Sequence, residues 1–178
     1  MRASYKYSLI VSGISIVSVI ILWIAGLLED NALLPPMIYS GALLLGIFLA
    51  LNEYKTTDVG KDFIDDLKTS LQVVGYFSIF IGIFTFLYYK YIDWEFVYDQ
   101  IASKIDAATN GEITPENNPD GLTREEIIEK ERATAESFIS PSSIAFATFI
   151  LTVITGFTYS IILTFIIRMN PKYKNQKR

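Results

Sequence analysis

Four long stretches of the 178-residue chain carry no charge: Tyr7–Leu28, Asn31–Asn52, Thr69–Tyr89 and Ser137–Ile167. All 15 Lys and Arg and all 19 Asp and Glu lie outside them. A helix needs about 20 apolar residues to cross the ~30 Å hydrocarbon core of a bilayer, and each stretch is long enough. A soluble helix would instead place a charge on its exposed face every turn or so. The pattern predicts an all-α polytopic membrane protein, a four-transmembrane-helix bundle. Its crossings are expected over 9–28, 35–51, 70–89 and 142–167 of a single membrane domain, with an acidic helical insert outside the membrane over 90–140.

Local signals set these boundaries. The first apolar run is too long for the core of a signal peptide and ends in Gly-Leu-Leu-Glu-Asp, so it reads as a retained crossing. Pro35 and Pro36 suit the first turn of the second helix, where an N–H would be unpaired anyway. Phe63, Ile64, Leu67, Leu71 and Val74 recur at helical spacing, with Lys61, Asp62, Asp65 and Asp66 filling much of the other side. This segment reads either as an amphipathic helix at the membrane interface or as an extension of the third crossing. The third crossing ends in an aromatic cluster, Phe86, Tyr88, Tyr89, Tyr91, Trp94, Phe96 and Tyr98, typical of a membrane–water interface. In the insert, one helix is expected over 94–108, and a second starts at Thr123, which has capping-box spacing to Glu126. Between them, NGEITPENNPDG is rich in turn-forming residues. Ser140-Pro141 opens the fourth crossing.

Small residues form a stripe along each crossing. These are Ser8, Ser12, Ser15 and Ser18; Ala42, Gly46 and Ala50; Gly75, Ser78, Gly82 and Thr85; and Thr148, Thr152, Gly156, Ser160 and Thr164. In lipid, burial of apolar surface does not drive helices together; close backbone approach and interhelical hydrogen bonds do. The stripes are therefore expected to face inward. A pore lined by their hydroxyls is the alternative use of the same residues.

Composition narrows the chemistry. The chain has no Cys and no His, which removes thiolate chemistry, disulfides and the commonest general base and metal ligand. No Asp, Glu, Lys, Arg or His falls inside an apolar window, whereas proton relays and ion sites usually place one there. Gln72, the amide in the third window, is expected to make a local hydrogen bond. Asp106, Asn110, Gly111 and Ile113 fall at EF-hand-like positions one, five, six and eight, but positions three and twelve are Ala108 and Asn117, which breaks the ligand set. Glu125, Glu126, Glu129 and Glu131 read as a solvated helix face. No catalytic, cofactor-binding or metal-binding residues are expected. The expected partners are the lipid bilayer and either a second copy or another membrane protein, not nucleic acid.

The layout resembles a bacterial membrane-protein family, domain of unknown function 4199. The resemblance lies in the KYSLIVSGI start, NEYK after the second crossing, the DFIDDLKTSLQVVG lead-in, FLYYKYIDWEF, the acidic insert, FISPSSIAF and the basic tail. It implies a bacterial inner-membrane protein with four helices, and it brings no activity and no functional residues. Three functional readings follow. The first is an uncharacterised, non-catalytic accessory or scaffold component of the membrane. The alternative is a small oligomeric channel or transporter, and a second alternative is a membrane enzyme acting on lipid or glycan, for which Asp93 or Glu95 would be candidates.

Lys and Arg give the orientation. The N-terminus has 2, the Asn52–Lys68 loop 3, and Arg168 with the tail residues Lys172, Lys174, Lys177 and Arg178 adds 5. The 90–140 insert holds 12 Asp and Glu against 5 Lys and Arg. Cytoplasmic loops collect Lys and Arg, so both termini are expected in the cytoplasm and the insert outside. The tail could also meet anionic headgroups. An Ala108→Cys variant, its thiol the only one in the chain, should react with an impermeant maleimide added to intact cells; reaction only after the membrane is opened would reverse this topology.

Overall fold

The computed structural model describes residues 3–28, 31, 33–57, 62–109 and 123–169, and among them every regular element is a helix. In chain order these are α1 (Ala3–Ile24), α2 (Leu34–Thr57), α3 (Phe63–Tyr91), α4 (Trp94–Thr109), α5 (Arg124–Phe138) and α6 (Pro141–Met169). Four of them, α1, α2, α3 and α6, are long and apolar enough to cross a membrane. The longest two, of 29 residues each, extend about 43 Å at 1.5 Å per residue, more than a hydrocarbon core needs.

The helices depart from the apolar windows at their ends, for identifiable reasons. Helix α1 starts at Ala3 and stops at Ile24, ahead of the expected end at Leu28. Gly26 takes a left-handed φ of 69°, its N–H donates to Trp23 O at 2.9 Å, and the N–H of Leu27 donates to Leu22 O at 3.0 Å. That is a Schellman termination, which glycine enters without a Cβ penalty. Helix α2 continues past Leu51 through Asn52, Glu53 and Lys55. Helix α3 runs unbroken from Phe63, so the lead-in extends the third crossing and is not a separate interfacial helix. Its polar side is also not the one read from spacing: Ile64 is 74% exposed, whereas Asp66 is only 1% exposed. Helix α6 begins with Pro141 in its first turn, and the N–H of Ser143 donates to Ser140 Oγ at 3.2 Å, an N-cap.

The chain divides into two compact units, Met1–Gly82 with Thr148–Arg178, and Ile83–Ala147. In the first unit the small-residue stripes carry the helix contacts. Ser8, Ser12 and Ser15 are buried on α1, Ala50 on α2, Ser78 on α3, and Thr152, Ser160 and Thr164 on α6. Larger side chains fill the core between them: Leu43, Ile47, Leu51, Val73, Phe77 and Ile81 are completely enclosed. Two glycines mark the closest approaches. A Cβ on Gly46 would lie 2.8 Å from Val11 Cγ2, and one on Gly156 would lie 2.5 Å from Val74 Cγ1 and 3.0 Å from Leu43 Cδ2. Gly75, on the expected α3 stripe, meets nothing within 4 Å, and the adjacent Val74 makes the contact instead.

Pairs between helices fix their directions. Tyr5 meets Tyr76 edge-on at 5.3 Å, and Ser4 Oγ donates to Gln72 Oε1 at 3.0 Å, so α1 and α3 run parallel. Tyr7 reaches Glu53 while Val11 reaches Gly46, so α1 and α2 run antiparallel. The hydroxyls of Ser40 and Tyr159 pair at 2.6 Å between α2 and α6, and the rings of Phe63 and Phe165 meet in a tilted pair at 5.3 Å between α3 and α6. The starts of α1 and α3 and the ends of α2 and α6 therefore share one end of this unit.

The second unit holds the end of α3, the packed pair α4 and α5, and the start of α6. Its aromatic residues form a chain of ring contacts: Phe84 to Tyr88, Tyr88 to Tyr89, and Tyr89 to Phe96, at 5.0–5.7 Å. Tyr88 also receives the N–H groups of Ile92 and Asp93 on its carbonyl, which closes α3, and donates its hydroxyl to Asp93 Oδ2 at 3.1 Å. Trp94 and Tyr98 pair edge-on at 5.4 Å and remain exposed. At the start of α5 both bonds of the expected capping box are present. The backbone and side chain of Thr123 hold the Glu126 carboxyl below the usual carboxylate range. The turn-rich 110–121 segment and the basic tail lie outside the described residues.

Gly156→Leu should destabilise the protein by about 1–3 kcal/mol through overpacking, seen as a lower midpoint of thermal unfolding in detergent. Gly75→Leu serves as the control and should leave the midpoint nearly unchanged. Equal midpoints for the two variants would remove Gly156 from the packing face.

Candidate functional site: a buried ionic cluster at three helix ends

Helix ends in a membrane protein expose unpaired backbone groups and carry partial charges, positive at the N-terminus and negative at the C-terminus. At the shared end of the first unit, the sequence puts a complementary charge on three of the four helices. Asp65 and Asp66 lie in the first turn of α3, Lys55 in the last turn of α2, and Arg168 in the last turn of α6. Each of these charges is favourable at its own helix end before it meets any partner.

The three elements bring Asp66, Lys55 and Arg168 together. Lys55 Nζ lies 2.6 Å and Arg168 Nε 2.7 Å from the same atom, Asp66 Oδ2. The Lys55 side chain is 12% exposed and that of Arg168 27% exposed, so the cluster is screened from solvent chiefly on the aspartate side. The guanidinium of Arg168 also lies 5.8 Å from the ring centroid of Phe63, within cation–π range. Thr69 and Ser70 are buried one turn along α3, and both donate their hydroxyls to backbone carbonyls of the preceding turn. Asp66 Oδ1 is buried and has no hydrogen-bond partner among the described residues.

A second, more open pairing joins α1 to α2 nearby. Glu53 Oε2 accepts from Lys6 Nζ at 2.6 Å and from the Tyr7 hydroxyl at 2.8 Å. Lys6 lies 4.8 Å over the Tyr7 ring. With the Ser4–Gln72 hydrogen bond, polar links at this end reach all four long helices.

Chemically, this arrangement is a latch. A carboxylate whose Oδ2 is occupied by both an ammonium and a guanidinium is engaged in joining helices and does not present that oxygen to a substrate. Among the described residues, no group of three or more His, Cys, Asp or Glu is placed to hold a metal. The acids considered as catalytic candidates stand elsewhere: Asp93 accepts from Tyr88, while Glu95, Glu125 and Glu129 are exposed. Most of the EF-hand-like positions lie outside the described residues. Gln72 is not engaged locally; its partner Ser4 stands 68 residues away on α1.

The sequence alone does not reveal this cluster. It places Lys55 in a loop, Asp66 on the polar side of an amphipathic lead-in, and Arg168 beside the basic tail. One signal was available: an acid in a first turn and bases in two last turns, all expected on the same side of the membrane.

The sequence model of a family described as "Protein of unknown function (DUF4199)" matches residues 6–169. That span includes every residue of the ionic cluster. No curated protein and no solved structure matches the chain.

Asp66→Asn should destabilise the protein by about 3–5 kcal/mol, because it leaves two partly buried cations without the charge they share. Lys6→Gln, at the more open pair, should have far less effect. Unfolding midpoints in one detergent compare the two directly, and equal losses would deny Asp66 its special place.

Proposed function

The chain belongs to the DUF4199 family of proteins of unknown function, and we propose that it is a non-catalytic integral component of the bacterial inner membrane, acting as an accessory or scaffold subunit. The observation that carries this reading is how the ionic groups of the four long helices are used. Asp66, Lys55 and Arg168 join helix to helix, and Glu53 does the same with Lys6 and Tyr7. Ionisable groups that serve transport or catalysis need access to substrate or ions, whereas these are spent on one another.

In this reading both termini and the ionic end lie in the cytoplasm, and the α4–α5 pair lies outside. The exposed acids of α5 and the exposed aromatic side chains Trp94 and Tyr98 then supply polar and interfacial contacts for a partner. The partner is another membrane protein or a second copy of the chain.

Affinity purification from native membranes in mild detergent, followed by the mass of the intact complex, tests the proposal. The expected result is a stoichiometric complex with another membrane protein or with further copies. Recovery of the bare monomer at every detergent concentration tried would overturn it.

A further inference from the structure

Buried oxygens without a hydrogen-bond partner among the described residues recur on α3 and α6: Ser78 Oγ lies on the far side of Val74, and three others lie on the ionic side of it, Asp66 Oδ1, Ser160 Oγ and Thr164 Oγ1. All three side chains are more than nine-tenths buried. Two contacts locate them along the seam. On α3, Asp66, Ser70 and Val74 recur every fourth residue and so share one face; on α6, Gly156, Ser160, Thr164 and Arg168 do the same. These faces meet where Arg168 Nε reaches Asp66 Oδ2 at 2.7 Å, and again where Val74 fills the space beside Gly156. Ser160 and Thr164 stand between those two points. The spans compared are about 12 Å on α3 and about 18 Å on α6. An arginine side chain is long enough to span the difference.

A buried Ser or Thr on a helix can return its proton to the carbonyl one turn back. Ser15, Ser70 and Thr152 all do so. Ser160 and Thr164 do not, although the same acceptors are in reach of the same chemistry. A buried polar group left unpaired is costly, and the lipid around these helices offers it no partner. Such groups are ordinarily satisfied by ordered water, which needs two to four polar partners around it. Here two buried hydroxyls, each able to donate and accept, stand on the α6 face that meets α3 at Asp66, whose free carboxylate oxygen can only accept.

We propose that the α3–α6 seam is a binding site for ordered water, between the Val74–Gly156 contact and Asp66, with Ser160 Oγ, Thr164 Oγ1 and Asp66 Oδ1 as its ligands. Val74 closes the site toward the middle of the helices. The cluster of Lys55 and Arg168 closes it at the helix ends, where the partial exposure of Arg168 is the way in. Water completes the carboxylate whose other oxygen is taken by both cations, and it gives Asp66 a solvent connection that its own burial denies it.

The absence of cysteine makes the test specific. Ser160→Cys, Thr164→Cys and Ile162→Cys variants, reconstituted in phosphatidylethanolamine–phosphatidylglycerol vesicles, are exposed to silver ion, and the remaining thiol is then counted with maleimide after denaturation. Ile162 is the control, since it lies at the same depth on the outer side of α6. Only a hydrated thiol ionises readily, so the variants at 160 and 164 should be modified at least about tenfold faster than the one at 162. Rates no faster than the control would overturn the site. Radiolytic hydroxyl-radical labelling of the unaltered protein gives a readout that needs no substitution. Label on buried Val74 and Leu163, with Ile162 unlabelled, supports the site; an unlabelled Val74 overturns it.

Discussion

A carboxylate held almost out of solvent at the end of a membrane helix is tolerable only where its charge is met, and the lengths and placement of the long helices follow from how Asp66 meets this requirement. An isolated ionised carboxylate in a medium of low dielectric would be neutralised or expelled. Here Lys55 and Arg168 approach the same oxygen from two other helices. For Lys55 to do so, α2 has to continue beyond its apolar window to Thr57. For Asp66 to be present, α3 has to begin at Phe63, two turns before the apolar run. Helix ends that would otherwise fray into loops are thereby drawn into the packed unit, and their dipoles strengthen the arrangement because each charge has the sign its own terminus favours.

The rest of the first unit is arranged so that this end can close. Val74 against Gly156 and Val11 against Gly46 set the spacing of α3 to α6 and of α1 to α2. In lipid such contacts supply what the hydrophobic effect supplies in water. Close approach and charge pairing are mutually dependent here. A wider α3–α6 seam would carry Arg168 away from Asp66, and an unpaired Asp66 would tend to open the seam. The second unit follows different physics. It is closed by ring contacts and the capped start of α5, with acids left on the exposed side.

Much of this architecture was legible because it depends on periodicity and local chemistry. The four apolar windows locate the four long helices, and the stripe Thr152, Gly156, Ser160 and Thr164 is buried as its spacing implies. Ser140 and Pro141 open α6, and Thr123 with Glu126 opens α5, because caps are satisfied within a few residues. What stayed hidden depended on distant partners. Spacing puts Ile64 on the apolar side of the lead-in and Asp66 on its polar side, and in water the apolar side would turn inward. In a membrane that rule loses its force: Ile64 can face lipid, and a charge has reason to turn toward other protein. Glu53 and Lys55 read as loop for the same reason, as nothing local says that α1 and α3 wait beside them.

That inversion bears on how function can be read from such a chain. In a soluble protein a buried charged cluster points first to catalysis, because burying charge without a use is costly. In a membrane helix end the same cluster has an ordinary use, to define which helices are neighbours and in what register, where apolar side chains alone discriminate poorly between protein and lipid. The buried triad therefore speaks for assembly before it speaks for chemistry. What distinguishes this cluster from a purely structural latch is the atom left over. With both cations on Oδ2, Oδ1 is left buried and unpaired, as are the hydroxyls of Ser160 and Thr164 on the helix that supplies Arg168.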